Sequence, residues 1–183
     1  MKYGLTVLVL GCFVVPAAYS FFQRKKKSAD QDQLVRLLAE GNYAQFDTLL
    51  EDMWNAGAID AFHHLYLQMS EAILKDDELR MEHLLHQAGK MKLNDEQKAS
   101  IWSRAMIYYT GKKRNSKCKE CYEAIMKLKG CDELKHMAGL VYRIMVEKRT
   151  DDLVEIEDKL QTAQDEEKEF LLKLKEEIER NRR

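Results

Sequence analysis

Leu34-Val35-Arg36-Leu37-Leu38-Ala39-Glu40-Gly41-Asn42-Tyr43-Ala44-Gln45-Phe46-Asp47-Thr48-Leu49-Leu50-Glu51-Asp52-Met53 carries an apolar stripe at helical spacing on each side of Gly41-Asn42. Leu34, Leu37 and Leu38 mark one helix face, and Tyr43, Phe46, Leu49, Leu50 and Met53 mark a second. The break between them falls on a glycine, so the stretch predicts two helices joined by a tight turn.

The same unit recurs along the chain. Phe62, Leu65, Met69, Ala72 and Ile73 form a face that stops at Lys75-Asp76-Asp77, with Leu79, Leu84 and Leu85 on the return helix. Ile101, Ala105 and Tyr108 lead to Gly111 and a basic loop, after which Cys118, Cys121, Tyr122, Ile125 and Leu128 return. Leu134, Met137, Val141, Tyr142 and Met145 lead to Arg149-Thr150-Asp151, followed by Leu153, Ile156 and Leu160. Turns near residues 41, 76, 113 and 150 recur roughly every 35 to 37 residues, the range of helical-repeat solenoids. Gly57, Gly89 and Gly130 are expected to lie at or near the ends of return helices, where a left-handed cap favours glycine, Asn94 with Gln97 to form a capping pair, and Asp132 and Asp165 to cap the helices they precede. The one proline is Pro16, and no long run alternates β-branched residues, so the part beyond residue 29 is expected to be all-α.

Ala105-Met106-Ile107-Tyr108 and Gly139-Leu140-Val141-Tyr142 repeat a small-x-x-Tyr pattern 34 residues apart, and Gly41-Asn42-Tyr43 forms a Gly-x-Tyr turn. On these residues the chain resembles the tetratricopeptide-repeat (TPR) family over about residues 30 to 163, without the proline that closes each unit in that family. The resemblance implies a TPR-like solenoid of αα-hairpins whose concave side, lined by the first helix of each unit, holds a protein or peptide partner. His63, Tyr66, Trp102, Arg104, Tyr109 and Arg143 fall on first helices and are the candidate contacts, since aromatic and Arg side chains anchor interfaces; core packing competes for each aromatic. The Lys, Asn and Arg set of the family's carboxylate clamp is not matched. Asp165 to Arg183 places Phe170, Leu171, Leu174 and Ile178 on one face and pairs Glu169 with Lys173, Glu176 with Arg180 and Glu179 with Arg183. That composition suits a C-terminal capping helix; weak self-association through a short coiled coil is the alternative.

Tyr3 to Phe22 contain no ionisable charge at neutral pH, and Arg24, Lys25, Lys26 and Lys27 follow. A helix of this length spans the hydrocarbon core of a bilayer, and the four cations suit an anionic membrane surface. The expected organisation is therefore a transmembrane anchor at 1–23, a basic juxtamembrane linker at 24–29 and a repeat domain at 30–183. Since Lys and Arg resist translocation, a single-pass cell-membrane protein with its domain in the cytoplasm is expected. Ala18-Tyr19-Ser20 offers a signal-peptidase site, which leaves an exported repeat protein assisting envelope assembly as the alternative. Cys12 reads as an apolar residue of the span.

The chain carries a formal net charge of -1 with 33% charged residues, which points to no nucleic-acid partner. Three of its four cysteines lie beyond the span, an odd number that argues against a disulfide framework. Cys118, Cys121, Cys131 and His136 could supply a tetrahedral zinc set, but the first two sit mid-helix where i, i+3 residues pack one face; a zinc-binding regulator stands as a lesser alternative. His63, His64, His83 and His86 lack a metal-binding motif, and no phosphate loop or nucleophile elbow occurs. The expectation is a membrane-anchored interaction scaffold with no cofactor and no enzymatic activity.

Overall fold

The computed structural model describes residues 29–183, and the described chain is all-α, with nine helices packed as consecutive hairpins. The anchor expected at residues 3–22 and the basic residues Arg24, Lys25, Lys26 and Lys27 lie outside the described residues. None of the described helices is long and apolar enough to cross a membrane. Two compact units divide these residues, 29–93 and 94–183.

In the first unit, α1 (Ala29–Ala39) pairs with α2 (Tyr43–Asn55), and α3 (Ala61–Leu74) with α4 (Glu78–Lys90). Leu34, Leu37 and Leu38 from α1 meet Phe46, Leu50 and Met53 from α2, and Ile59 and Leu67 join the same core. Both hairpins turn by one device. Gly41 and Asp76 adopt left-handed φ of 70° and 59°, and the next N–H reaches back five residues, from Asn42 to the Leu37 carbonyl (2.9 Å) and from Asp77 to the Ala72 carbonyl (2.8 Å). These bonds satisfy carbonyls that a helix end would otherwise leave bare. The same residue then opens the next helix: the Arg80 N–H donates to Asp77 Oδ1 at 3.0 Å, and the Gln45 N–H to Asn42 Oδ1 at 3.4 Å.

Two expectations are met only in part. Gly89 stands one residue before the end of α4, near the helix end as expected, but without the left-handed φ that Gly57 and Gly130 take at 66° and 67°. Leu79 is 80% exposed, because the buried stripe of α4 runs through Met81, Leu84 and Ala88 and leaves Leu79 on the far side. An ionic relay also crosses this unit. The fully buried Glu71 of α3 contacts Lys75 Nζ at 3.1 Å and Arg80 Nη2 at 2.9 Å, and Arg80 stands 3.8 Å from Asp47 on α2.

In the second unit α5 (Asp95–Gly111) pairs with α6 (Asn115–Met126), followed by α7 (Asp132–Val141), α8 (Leu153–Thr162) and α9 (Asp165–Asn181). Asn94 and Gln97 form the expected capping box. Ile101, Ala105 and Tyr108 are buried on α5, as are Cys118, Cys121 and Ile125 on α6. Lys113, φ 57°, makes the turn, and the Arg114 N–H reaches the Tyr109 carbonyl at 2.9 Å.

The fourth hairpin departs from this pattern. α7 runs on as a π turn, Tyr142–Val146, in which the Glu147 N–H bonds the Tyr142 carbonyl at 3.2 Å. The Arg149 N–H then reaches Arg143 at 3.0 Å, a span of six residues where the other hairpins span five. The left-handed residue is consequently Lys148, φ 60°, two positions before the turn expected at Thr150. Asp132 and Asp165 do not cap either. Each is the first residue of its helix, behind Cys131 and Gln164, and neither of those supplies a side-chain cap. α9 packs on α8 and the π turn and buries Phe170, Leu171, Leu174 and Ile178, the inward face expected of a terminal helix. Lys173 pairs with Glu169 at 2.8 Å, whereas Arg180 takes Glu177 rather than Glu176.

Candidate functional site

In the second unit, the C-terminal end of α5, the end of α7 and α9 enclose a pocket of about 440 Å³. Its floor is apolar, with Ile107 from α5, Val141 and Met145 from α7 and its π turn, and Phe170 and Leu174 from α9. Helical spacing explains the last two, since residues four apart share a face. Around the mouth stand Lys113, Lys148, Lys173 and Arg180 with Glu176 and Glu177. Glu177, nearly buried, accepts from Lys148 at 2.8 Å and from Arg180, so one carboxylate serves two cations.

The walls are fixed by polar bonds outside the apolar floor. Arg143 forks onto Asp152, Nε to Oδ1 at 3.0 Å and Nη2 to Oδ1 at 2.7 Å, joining the π turn to the start of α8. That bond holds the guanidinium above its ordinary pKa, with the Asp152 and Glu155 charges adding to it and burial opposing it. Asn181 bonds the Ile144 carbonyl at 3.0 Å, and Arg182 Nη2 bonds the Thr150 carbonyl at 3.1 Å, which ties the end of α9 to the same turn. The rings of Tyr122 and Tyr142 stack at 4.4 Å and so join α6 to the π turn. A shallower depression of about 610 Å³ lies between the N-terminal halves of α5 and α7, lined by Ala99, Ser100, Leu134 and Met137 and edged by Glu96, Asp132 and Glu133.

None of the six candidate contacts lines either pocket. Tyr66, Arg104 and Tyr109 are buried. His63 is half-buried, with Nδ1 2.7 Å from Asp60 Oδ1, and Trp102 is half-buried on α5. Arg143 is occupied by Asp152. The first helices α5 and α7 do form the pocket, but through their apolar positions rather than their aromatic and arginine ones.

The zinc set is not brought together either. Among the described residues no group of three or more His, Cys, Asp and Glu could hold a metal ion. Cys118 and Cys121 are buried on α6, Cys131 occupies the left-handed position before α7, and His136 contacts Glu155 on α8. Burial, with the neighbouring Cys118 and Glu120 adding to it, pushes the Cys121 thiol up to about 12. Burial also raises Cys118, against the opposing bond from Thr110, whose Oγ1 lies 3.0 Å from its Sγ.

Sequence reasoning overlooked the pocket residues and also Trp54, which stays 39% exposed near the end of α2 and stacks on His64 at 4.8 Å while His64 Nε2 meets Glu51 at 3.1 Å. The readable signal for the pocket is composition, since α9 sets Lys173, Arg180 and two glutamates beside its apolar stripe. No protein-family model matches the chain, and neither curated proteins nor solved structures show a match to it.

Proposed function

We propose that the chain is a membrane-anchored protein–protein interaction scaffold on a TPR-like hairpin array, acting by binding rather than by catalysis. The recurrence of a left-handed residue at each hairpin turn carries the reading: Gly41, Asp76, Lys113 and Lys148 follow each other at intervals of 35, 37 and 35 residues. Stacked hairpins of that period offer long helix faces for partners, and the uncharged run from Tyr3 to Phe22 with Arg24 to Lys27 behind it supplies the tether. Confinement at a bilayer raises the effective concentration of a partner, so modest affinity suffices.

Proximity labelling of the full chain in cells tests this. A reproducible partner set is expected that persists when residues 1–23 are exchanged for an unrelated span. A set identical to that of the span alone overturns the scaffold reading. Protease added to intact cells is expected to leave the domain uncut; digestion would transfer the scaffold to the outer side of the membrane, as an exported protein.

A further inference from the structure

The pocket of α5, α7 and α9 has a floor and a mouth of different chemistry. Ile107, Val141, Phe170 and Leu174 are buried hydrophobics that still border an open volume of about 440 Å³. Cavities of this size take the body of a small organic ligand. Above them the charges do not balance. Lys148 and Arg180 share the single charge of Glu177, which leaves one positive charge over, and Lys113 at the α5–α6 turn adds another. Lys173 is matched by Glu169, and Glu176, exposed on α9, returns one negative charge. The mouth is therefore net positive over an apolar floor.

We propose that this pocket binds a single-chain anionic amphiphile of the fatty-acid class, its alkyl chain against Ile107, Val141, Phe170 and Leu174 and its carboxylate at Lys113, Lys148 and Arg180. The assignment does not depend on the scaffold reading. An alkyl chain suits the floor because it removes apolar surface from water without bringing in a polar group that needs a partner. A carboxylate suits the mouth because it can accept charge-assisted hydrogen bonds from more than one of the clustered cations. The site is also tied across its walls: Asn181, which lines it from α9, bonds the Ile144 carbonyl of the π turn that carries Met145.

The test uses the full chain in phosphatidylcholine nanodiscs with a photoactivatable diazirine fatty acid, and mass spectrometry to locate the label. Saturable labelling of peptides from α5, the π turn and α9 is expected, competed by dodecanoate and not by dodecyltrimethylammonium or a nonionic dodecyl glycoside. Lys113→Glu, an exposed change at a turn, is expected to weaken competition by dodecanoate about fivefold, the effect of roughly one screened charge pair. Leu174→Trp, which fills the floor, is expected to abolish the labelling, with hydrogen exchange of α9 verifying that the helix remains folded. Labelling confined to residues 1–28, or equal competition by the cationic and nonionic amphiphiles, overturns the proposal. So does competition by an acidic Leu/Glu model peptide where dodecanoate fails, since the site would then belong to a protein partner.

Discussion

Asn181, the last residue of α9, donates its side-chain amide to the backbone carbonyl of Ile144 at 3.0 Å, across 37 residues of sequence. Ile144 lies in the π turn, near the end of its helix, where carbonyls run out of intrahelical donors. A side chain from the final helix thereby adds a hydrogen bond to the described hairpin whose turn departs from the common pattern.

Asn181→Ala should therefore loosen the π turn. A partly buried hydrogen bond of this kind contributes about 1 kcal/mol, so amide exchange at residues 144–149 is expected to accelerate about fivefold, with α1 to α4 unchanged. Hydrogen exchange by mass spectrometry reads both regions in one experiment. Unchanged protection in the π turn would show that the bond contributes nothing.

Arg143 and Asp152 should couple strongly in a double-mutant cycle. Asp152 is nearly buried and both of its oxygens face the guanidinium, at 3.0 and 3.2 Å from Nε. Arg143→Ala is expected to cost about 1.5 to 3 kcal/mol, and Arg143→Lys to recover less than half of it, because an ammonium lacks the planar fork. Chemical denaturation followed by local exchange measures the coupling; additive single changes would place both residues in independent roles.

Glu71 predicts a pH dependence of the first unit. Burial raises its carboxyl above the ordinary glutamate value, with the Lys75 hydrogen bond and the Arg80 charge opposing it and the Asp47 charge adding to it. A carboxyl raised in the folded state favours folding most below its unfolded value, and that contribution is lost as pH rises through the folded value. Glu71→Gln removes the titration, so wild type should lose stability relative to the variant between about pH 4 and about pH 7. Denaturant midpoints at the two ends give the sign. A difference that moves in favour of wild type would mean that Lys75 and Arg80 outweigh burial.

Thiol reactivity should separate the three cysteines of the second unit. With the Cys121 thiol pushed up to about 12, its thiolate at pH 8 is roughly one part in ten thousand, and the thiolate is the nucleophile. Iodoacetamide is expected to label the half-buried Cys131 about tenfold faster than Cys118 or Cys121 in the native protein, and all three alike in urea. Peptide mapping reads the order. Equal native rates would mean that α6 opens readily.

Local signals were legible wherever the physics is local. The spacing of Leu34, Phe46, Met69, Ile101 and Ile125 marked buried helix faces, Gly41 and Asp76 fell at turns, and Asn94 with Gln97 formed its box. Asp132 and Asp165 do not cap, and Gly89 near the end of α4 is not left-handed, because suitable residues near a helix end do not determine which of them occupies the cap. Leu79 lies on the return helix but faces outward, because Met81, Leu84 and Ala88 form its buried stripe.

The candidate contacts show where such reasoning stops. Tyr66 and Tyr109 satisfy the same helical spacing as core residues and are buried, while Arg143, chosen as an interface anchor, is held by an aspartate nine positions away. The pocket needed three helices whose contributions lie up to 74 residues apart, from Ile107 to Asn181, and no periodicity relates them.

What the sequence by itself determined is the all-α hairpin architecture of residues 29–183, because helix faces, turns and caps depend on neighbours within a few positions. The tertiary structure alone decided the π turn in the fourth hairpin and the meeting of α5, α7 and α9 around an apolar floor. Those features arise from packing and hydrogen bonds between distant segments, where a side chain's role is set by what stands opposite it.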